Sequence, residues 1–168
     1  MVEYHVHRAG VADWREVRDI RLRSLTETPD AFSGTLAEDQ AISEAEWRSR
    51  IEDAGTAHFL ALTNQMQCVG LAVGAAFTDY TDTAGLFGMW VAPDARRHGL
   101  GAALVQAVVA WARQENYHRI VLDVGDGNTA AKALYASCGF IATGKSSRLP
   151  PPRQHIAEHE CALLLEPT

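Results

Sequence analysis

The chain has 168 residues, 47% of them hydrophobic and 21% charged, with a formal net charge of −6. That length and apolar content suit one domain over residues 1–168, while the acidic balance and the lack of a basic stripe exclude a sequence-independent nucleic-acid binder. No apolar run approaches the roughly 20 residues of a membrane span and the first residues, Met1 to His5, do not resemble a secretory leader, so a cytoplasmic protein with neither membrane nor nucleic-acid partners is expected.

In chain order, Val2, Tyr4 and Val6 alternate with His5 and His7 to give a first strand, Val2 to Arg8. Asp13 caps a helix carrying Val17, Ile20 and Leu25 that ends before Pro29. Pro29 to Gln40 reads as a loop, after which the capping-box pattern Ser43-x-x-Glu46 starts a second helix through Trp47 and Ile51, ended by Gly55. Residues 58–63 and 68–77 form a hairpin around the polar turn Asn64-Gln65. Leu86 to Val91 is a strand stopped by Pro93. A long helix follows from Gly99 or Leu100 to about Asn116, with Leu100, Leu104, Val108 and Trp111 at helical spacing. Arg119 to Val124 is a strand, and Asn128 to about Ser137 a helix with Gly139 as its C-cap. Strands near Phe140–Thr143 and Glu160–Leu165 close the chain on either side of the irregular loop Leu149–Arg153. This order predicts an α/β protein: a mixed, mostly antiparallel, twisted sheet of about six or seven strands flanked by helices.

The chemistry concentrates between Leu86 and Phe140. Arg96-Arg97-His98-Gly99-Leu100-Gly101-Ala102 is an Arg-x-x-Gly-x-Gly run at a helix start. Glycines there let the backbone approach a ligand, and the free N–H groups with the helix dipole favour an anion such as a pyrophosphate. The plainer alternative is a glycine-softened loop with solvated arginines. A dinucleotide oxidoreductase fits less well, although Asp123 follows the glycines at about the distance of a Rossmann acid. Leu104 stands where its third glycine belongs, and the strand ends near Val91, well before the glycines. Cys68, Cys138 and Cys161 form no CxxC pair, which argues against a disulfide framework or structural zinc. His5 and His7 share a strand face but lack a third ligand, so no metal is expected.

Two segments carry a resemblance. The strand ending Val91-Ala92-Pro93 leads into the glycine motif; then Leu122-Asp123-Val124, Asn128-x-x-Ala131-x-x-x-Tyr135 and Gly139-Phe140 follow, with 27 residues from Gly101 to Asn128. Residues 84–143 resemble the GNAT family of acetyl-CoA-dependent N-acetyltransferases, whereas the first half agrees in element order only. The resemblance implies the acyl-CoA N-acyltransferase fold, acetyl-CoA as cosubstrate and an amine acceptor, and it admits a homodimer. It implies that backbone groups of the strand at Met89 and Val91 bond the pantetheine arm like an added strand. It places Arg96, Arg97, His98, Gly99, Leu100, Gly101 and Ala102 around the pyrophosphate, Asn128 and Ala131 beside the arm, and Tyr135 by the sulfur as proton donor to the thiolate. Independently, a separation of seven puts Asn128 and Tyr135 on one helix face; packing is the alternative role for Tyr135.

Acetyl transfer to an amine needs a base for the amine proton and a donor for the developing oxyanion, which strand N–H groups near Met89–Val91 supply. Asp123 is the candidate base, with capping of the next loop as its alternative role; Glu38 and Asp39 are further candidates. Trp90 faces away from Met89 and Val91 and either meets ligand or fills core. Trp47 and Trp111 read as packing, and the lone histidines His58, His98 and His155 carry no inference. The segment Pro29–Gln40, with Phe32, Leu36, Glu38 and Asp39, is expected to wall an acceptor site and attract a cationic amine, with Leu149–Arg153 covering the opposite side. The expected acceptor is a small primary amine; a protein N-terminus or lysine, or a non-catalytic acyl-CoA-binding module, are the alternatives.

Overall fold

A computed structural model describes residues 2–166. The strands are β1 (Tyr4–Arg8), β2 (Thr56–Thr63), β3 (Cys68–Ala76), β4 (Thr83–Val91), β5 (Arg119–Gly125), β6 (Ile141–Arg148) and β7 (Ala157–Leu164). The helices are α1 (Trp14–Glu27), α2 (Leu36–Gln40), α3 (Glu44–Glu52), α4 (Leu100–Gln114) and α5 (Thr129–Ser137). The strands form one sheet in the order β1-β2-β3-β4-β5-β7-β6. Neighbours are antiparallel except β4 and β5, which are parallel. The mixed, mostly antiparallel seven-stranded sheet is the one the element order predicts.

Side-chain alternation assigns the helices to faces. Gly70 and Gly74 of β3 let α4 settle against the sheet: a Cβ at Gly74 would lie 2.6 Å from the Trp111 ring, and one at Gly70 3.1 Å from Leu104. The buried stripe Leu104, Val108 and Trp111 of α4 therefore covers that face. Gly101 of α4 meets Leu134, which puts α5 on the same side. Leu71 and Val73 point the other way, paired with Trp90 and Phe87, and Trp90 Nε1 donates to Glu27 of α1 at 2.8 Å. The opposite face thus belongs to α1, and α3 packs there over β2.

Local signals account for the element ends. Ser43 caps α3 by accepting from the Glu46 N–H, as its spacing predicts. The C-cap of α5 is Cys138, one place earlier than expected, and Gly139 follows it at φ +95°. Residues 29–40, expected to be loop, instead hold a short 3-10 turn at Pro29–Ala31 and then α2. Thr35 caps α2, and Asp39 is drawn inward by Arg21 of α1, a tertiary contact that five residues of local pattern do not reveal. Strands β6 and β7 run longer than expected because each has an antiparallel partner. Among the described residues no helix is long and apolar enough to cross a membrane.

Candidate active site

The parallel pair β4–β5 is short. It joins Thr83, Ala84 and Gly85 to Arg119, Ile120 and Val121, and beyond Gly85 the strands separate. From Leu86 onward β4 has no strand neighbour on that side, so its backbone edge is open to an added extended chain. A bulge sharpens the divergence. On β3 one residue separates Leu71 from Val73, whereas two separate their partners Phe87 and Trp90, with Gly88 at φ +62°. A glycine inside a strand pattern is a sequence signal for such a bulge, and Gly88 was not singled out by it.

The opening is part of a cleft of about 1000 Å³. One arm runs through the β4–β5 gap, lined by Met89, Trp90, Val91, Asp123, Asn128, Ala131 and Tyr135. It continues past Arg96, Arg97, Gly99, Leu100, Gly101 and Ala102 at the start of α4. The other arm passes over β2, β3 and β4 beneath α1 and α3. Of the residues assigned to the cofactor, only His98 lies outside this lining; its ring packs on Tyr4, with centroids 5.3 Å apart. That contact with the first strand is long-range, so nothing in the motif foretells it.

The α4 end fits a pyrophosphate by the chemistry of its donors. Gly99 is the N-cap, at φ +78°, and no side chain caps it. The N–H groups from Arg97 to Ala102 find no backbone acceptor among the described residues. The two arginines differ from each other in what they hold. Arg96, though exposed, is tied down: Nε donates to Val91 O at 2.9 Å and Nη2 lies 3.0 Å from Glu27. Glu27 also accepts from Thr28 and Trp90, and these bonds, with Arg96, hold its pKa below the usual glutamate value. Arg96 therefore fastens the loop to α1 and occupies the Val91 carbonyl, while Arg97 stays exposed at φ +67°. Gly101 serves packing as well as access, because a Cβ there would sit 2.9 Å from Leu134 Cδ2.

Asn128 is the N-cap of α5, its Oδ1 accepting from Ala131 N at 3.2 Å. That bond aims α5 and with it Tyr135, which is 8% exposed and packed edge-on against Phe140. Among the described residues the Tyr135 hydroxyl has no hydrogen-bond partner. Burial raises its pKa, so it stays a neutral donor.

Two carboxylates face it across the gap. Gly85 shares the α1 face with Phe87, and its partner Val121 carries Asp123 onto that face. The cross-strand pairs Asp123–Glu160 and Gly125–Glu158 add both glutamates to the same face. Asp123 and Glu158 line the cleft. Partial desolvation, then repulsion from Glu160, raises the Asp123 pKa; desolvation and Asp123 raise that of Glu158. Glu160 is buried and accepts from Thr143 Oγ1 at 2.9 Å. Glu158 was missed from sequence because strand register, not spacing, brings it to Asp123.

Of the segment expected to wall the acceptor site, Ala31, Phe32, Ser33 and Asp39 line the cleft, with a charge different from the one expected. Arg153 of the proline-rich loop donates to the carbonyls of Pro29, Phe32 and Ser33 at 2.7–3.0 Å, stapling the two loops together. Glu38 is exposed and outside the cleft lining, and Asp39 is paired with Arg21 at 2.8 Å. The expected pair of free carboxylates is therefore absent from the wall, where Arg21, Arg50, His58 and Trp47 stand instead.

The model of the acetyltransferase (GNAT) family matches residues 14–140. The human protein "N-acetyltransferase 8" is 43% identical over 61 residues, which is 36% of this chain and 27% of that protein. The chain spans only 27–29% of the length of this and two other curated relatives. An acetyltransferase structure from Streptococcus pneumoniae superposes with a TM-score of 0.82 at 20% identity, covering 98% of this chain and 100% of the other. A putative acetyltransferase from Salmonella typhimurium, solved with acetyl-CoA, gives 0.80 at 19% identity, covering 99% and 96%.

Proposed function

The chain belongs to the acetyltransferase (GNAT) family, and from that premise we propose that residues 1–168 form one transferase domain moving the acetyl group of acetyl-CoA to a small primary amine. The observation that carries this reading is the splayed β4–β5 pair, with uncapped N–H groups of α4 at one end and Tyr135 and Asp123 on opposite faces of the opening. Bound acetyl-CoA would supply an acyl group already activated as a thioester. The open edge of β4 and the N–H groups from Arg97 to Ala102 would hold it.

The residues divide the proton traffic between the two faces. A neutral amine nitrogen forms the new C–N bond as the C–S bond breaks. Asp123 takes the proton released by the amine, and its raised pKa makes it a better base than an ordinary aspartate. Tyr135 gives its proton to the departing sulfur, leaving a thiol. Strand N–H groups near Met89 meet the charge that gathers on the carbonyl oxygen. Since Asp123 gains one proton and Tyr135 loses one, solvent re-equilibrates the two between turnovers. The staple of Arg153 across the acceptor arm favours a small acceptor over a polypeptide.

Thiol release measured with acetyl-CoA and a panel of small primary amines tests the reading. Amine-dependent release, with an N-acetyl product of matching mass, is the expected result. CoA binding with no release for any amine, amino acid or peptide would leave a binding module in its place.

A further inference from the structure

The acceptor arm contains polar groups that the transfer chemistry above does not use. His58 is 8% exposed, lines the arm, and its Nδ1 has no hydrogen-bond partner. Trp47 Nε1, in the same lining, is likewise buried without a partner. Buried polar atoms are paired in the great majority of cases, so two orphans in one cleft point to a polar ligand there.

Arg21 supplies the charge. Its Nε is held by Asp39 and its guanidinium lies 4.8 Å over the Phe32 ring, which fixes the plane. The Nη atoms have no acceptor among the described residues. Nη1 lies 3.8 Å from where a Cβ on Gly88 would be, so the free edge of the fork sits against the β4 bulge, beside the transfer point. Arg50 adds a second cation to the lining; its ion pair with Glu46 is on the exposed side of α3. The arm is completed by apolar rings, with Phe77 and Phe87 stacked at 6.5 Å.

Resting on the transferase reading, we propose that the acceptor is an α-amino acid with an apolar side chain, its carboxylate bound by the free Nη edge of Arg21 and completed by His58 and Trp47. The short distance from Arg21 to the β4 bulge suits a carboxylate one carbon away from the reacting amine. A planar fork matches a carboxylate bidentately. Burial and the nearby Arg50 lower the His58 pKa to about 4, so the ring stays neutral and presents an N–H to the anion. The aromatic lobe takes the side chain.

Matched pairs test this without relying on any variant: leucine against 3-methylbutylamine, and phenylalanine against 2-phenylethylamine, in the thiol-release assay. The carboxylate-bearing member should have the higher kcat/KM by roughly 10- to 100-fold, the range for one charge-assisted interaction. In Arg21→Gln that ratio should shrink at least about tenfold, chiefly through KM for the amino acid; circular dichroism checks that the variant folds. Equal rates within each pair, or faster decarboxylated amines, overturn the inference and leave the transferase reading standing. No release with either member of any pair, nor with other amines, overturns both.

Discussion

Replacing His58 by Gln should remove a pH dependence of stability that the buried ring imposes. His58 lies in β2 with its pKa lowered from 6.5 to about 4, first by burial and then by Arg50. The unfolded chain binds a proton near pH 6.5, whereas the folded chain resists it until about pH 4. Stability contributed by the neutral ring is therefore complete above pH 6.5, falls as the pH drops, and levels off below about 4. At 1.36 kcal/mol per pH unit the full span is about 3 kcal/mol. For a chain of this size that corresponds to roughly 6–12 °C in Tm. Carboxylates titrate in the same window, so the measurement is the difference between the two proteins. Urea unfolding at half-unit intervals from pH 7.5 to 4 should show wild type losing about 3 kcal/mol more than His58→Gln. The variant's absolute stability is free to differ; only the slope matters. Parallel slopes, or a His58 resonance titrating near pH 6.5, would refute the assigned burial.

Tyr135→Phe should lower kcat by about 10- to 1000-fold with little change in KM for acetyl-CoA, since it removes a proton donor and keeps the packing against Phe140; single-turnover thiol release checks this. Asp123→Asn should lower kcat/KM for the amine on the order of 10²- to 10⁴-fold. The same variant should leave Tm unchanged or higher, because a raised carboxylate pKa means the ionised form burdens the fold once the pH exceeds it. In wild type the acid limb of activity should correspondingly lie above the ordinary aspartate range. Gly101→Val should weaken CoA binding in calorimetry by driving a side chain into Leu134, and Leu134→Ala should restore part of it. Gly99→Val, which meets no neighbour but must hold φ +78°, should instead lose roughly 1–2 kcal/mol of stability with no rescue from Leu134→Ala.

The sequence by itself determined the order of the strands and of every helix but α2, and the glycine run that opens α4, since these are written in local, short-range code. The α4 stripe of Leu104, Val108 and Trp111, the cap at Ser43 and the run from Arg96 to Ala102 each act over a few residues, and the structure builds them where spacing puts them. Asn128 and Tyr135 share a helix face for the same reason. Tertiary structure alone decided what those residues touch. Arg96, at the cleft, is tied to Glu27, 69 positions away, and His98 rests on Tyr4 outside the cleft lining. The other arm of the cleft is non-local throughout. Arg21 neutralises Asp39, Arg153 reaches back to Phe32, and Glu158 joins Asp123 through the register of β5 and β7. Charges counted along the chain made that segment acidic; pairing across the fold removes Asp39 from the count, because a carboxylate held by a neighbouring guanidinium no longer attracts a cation.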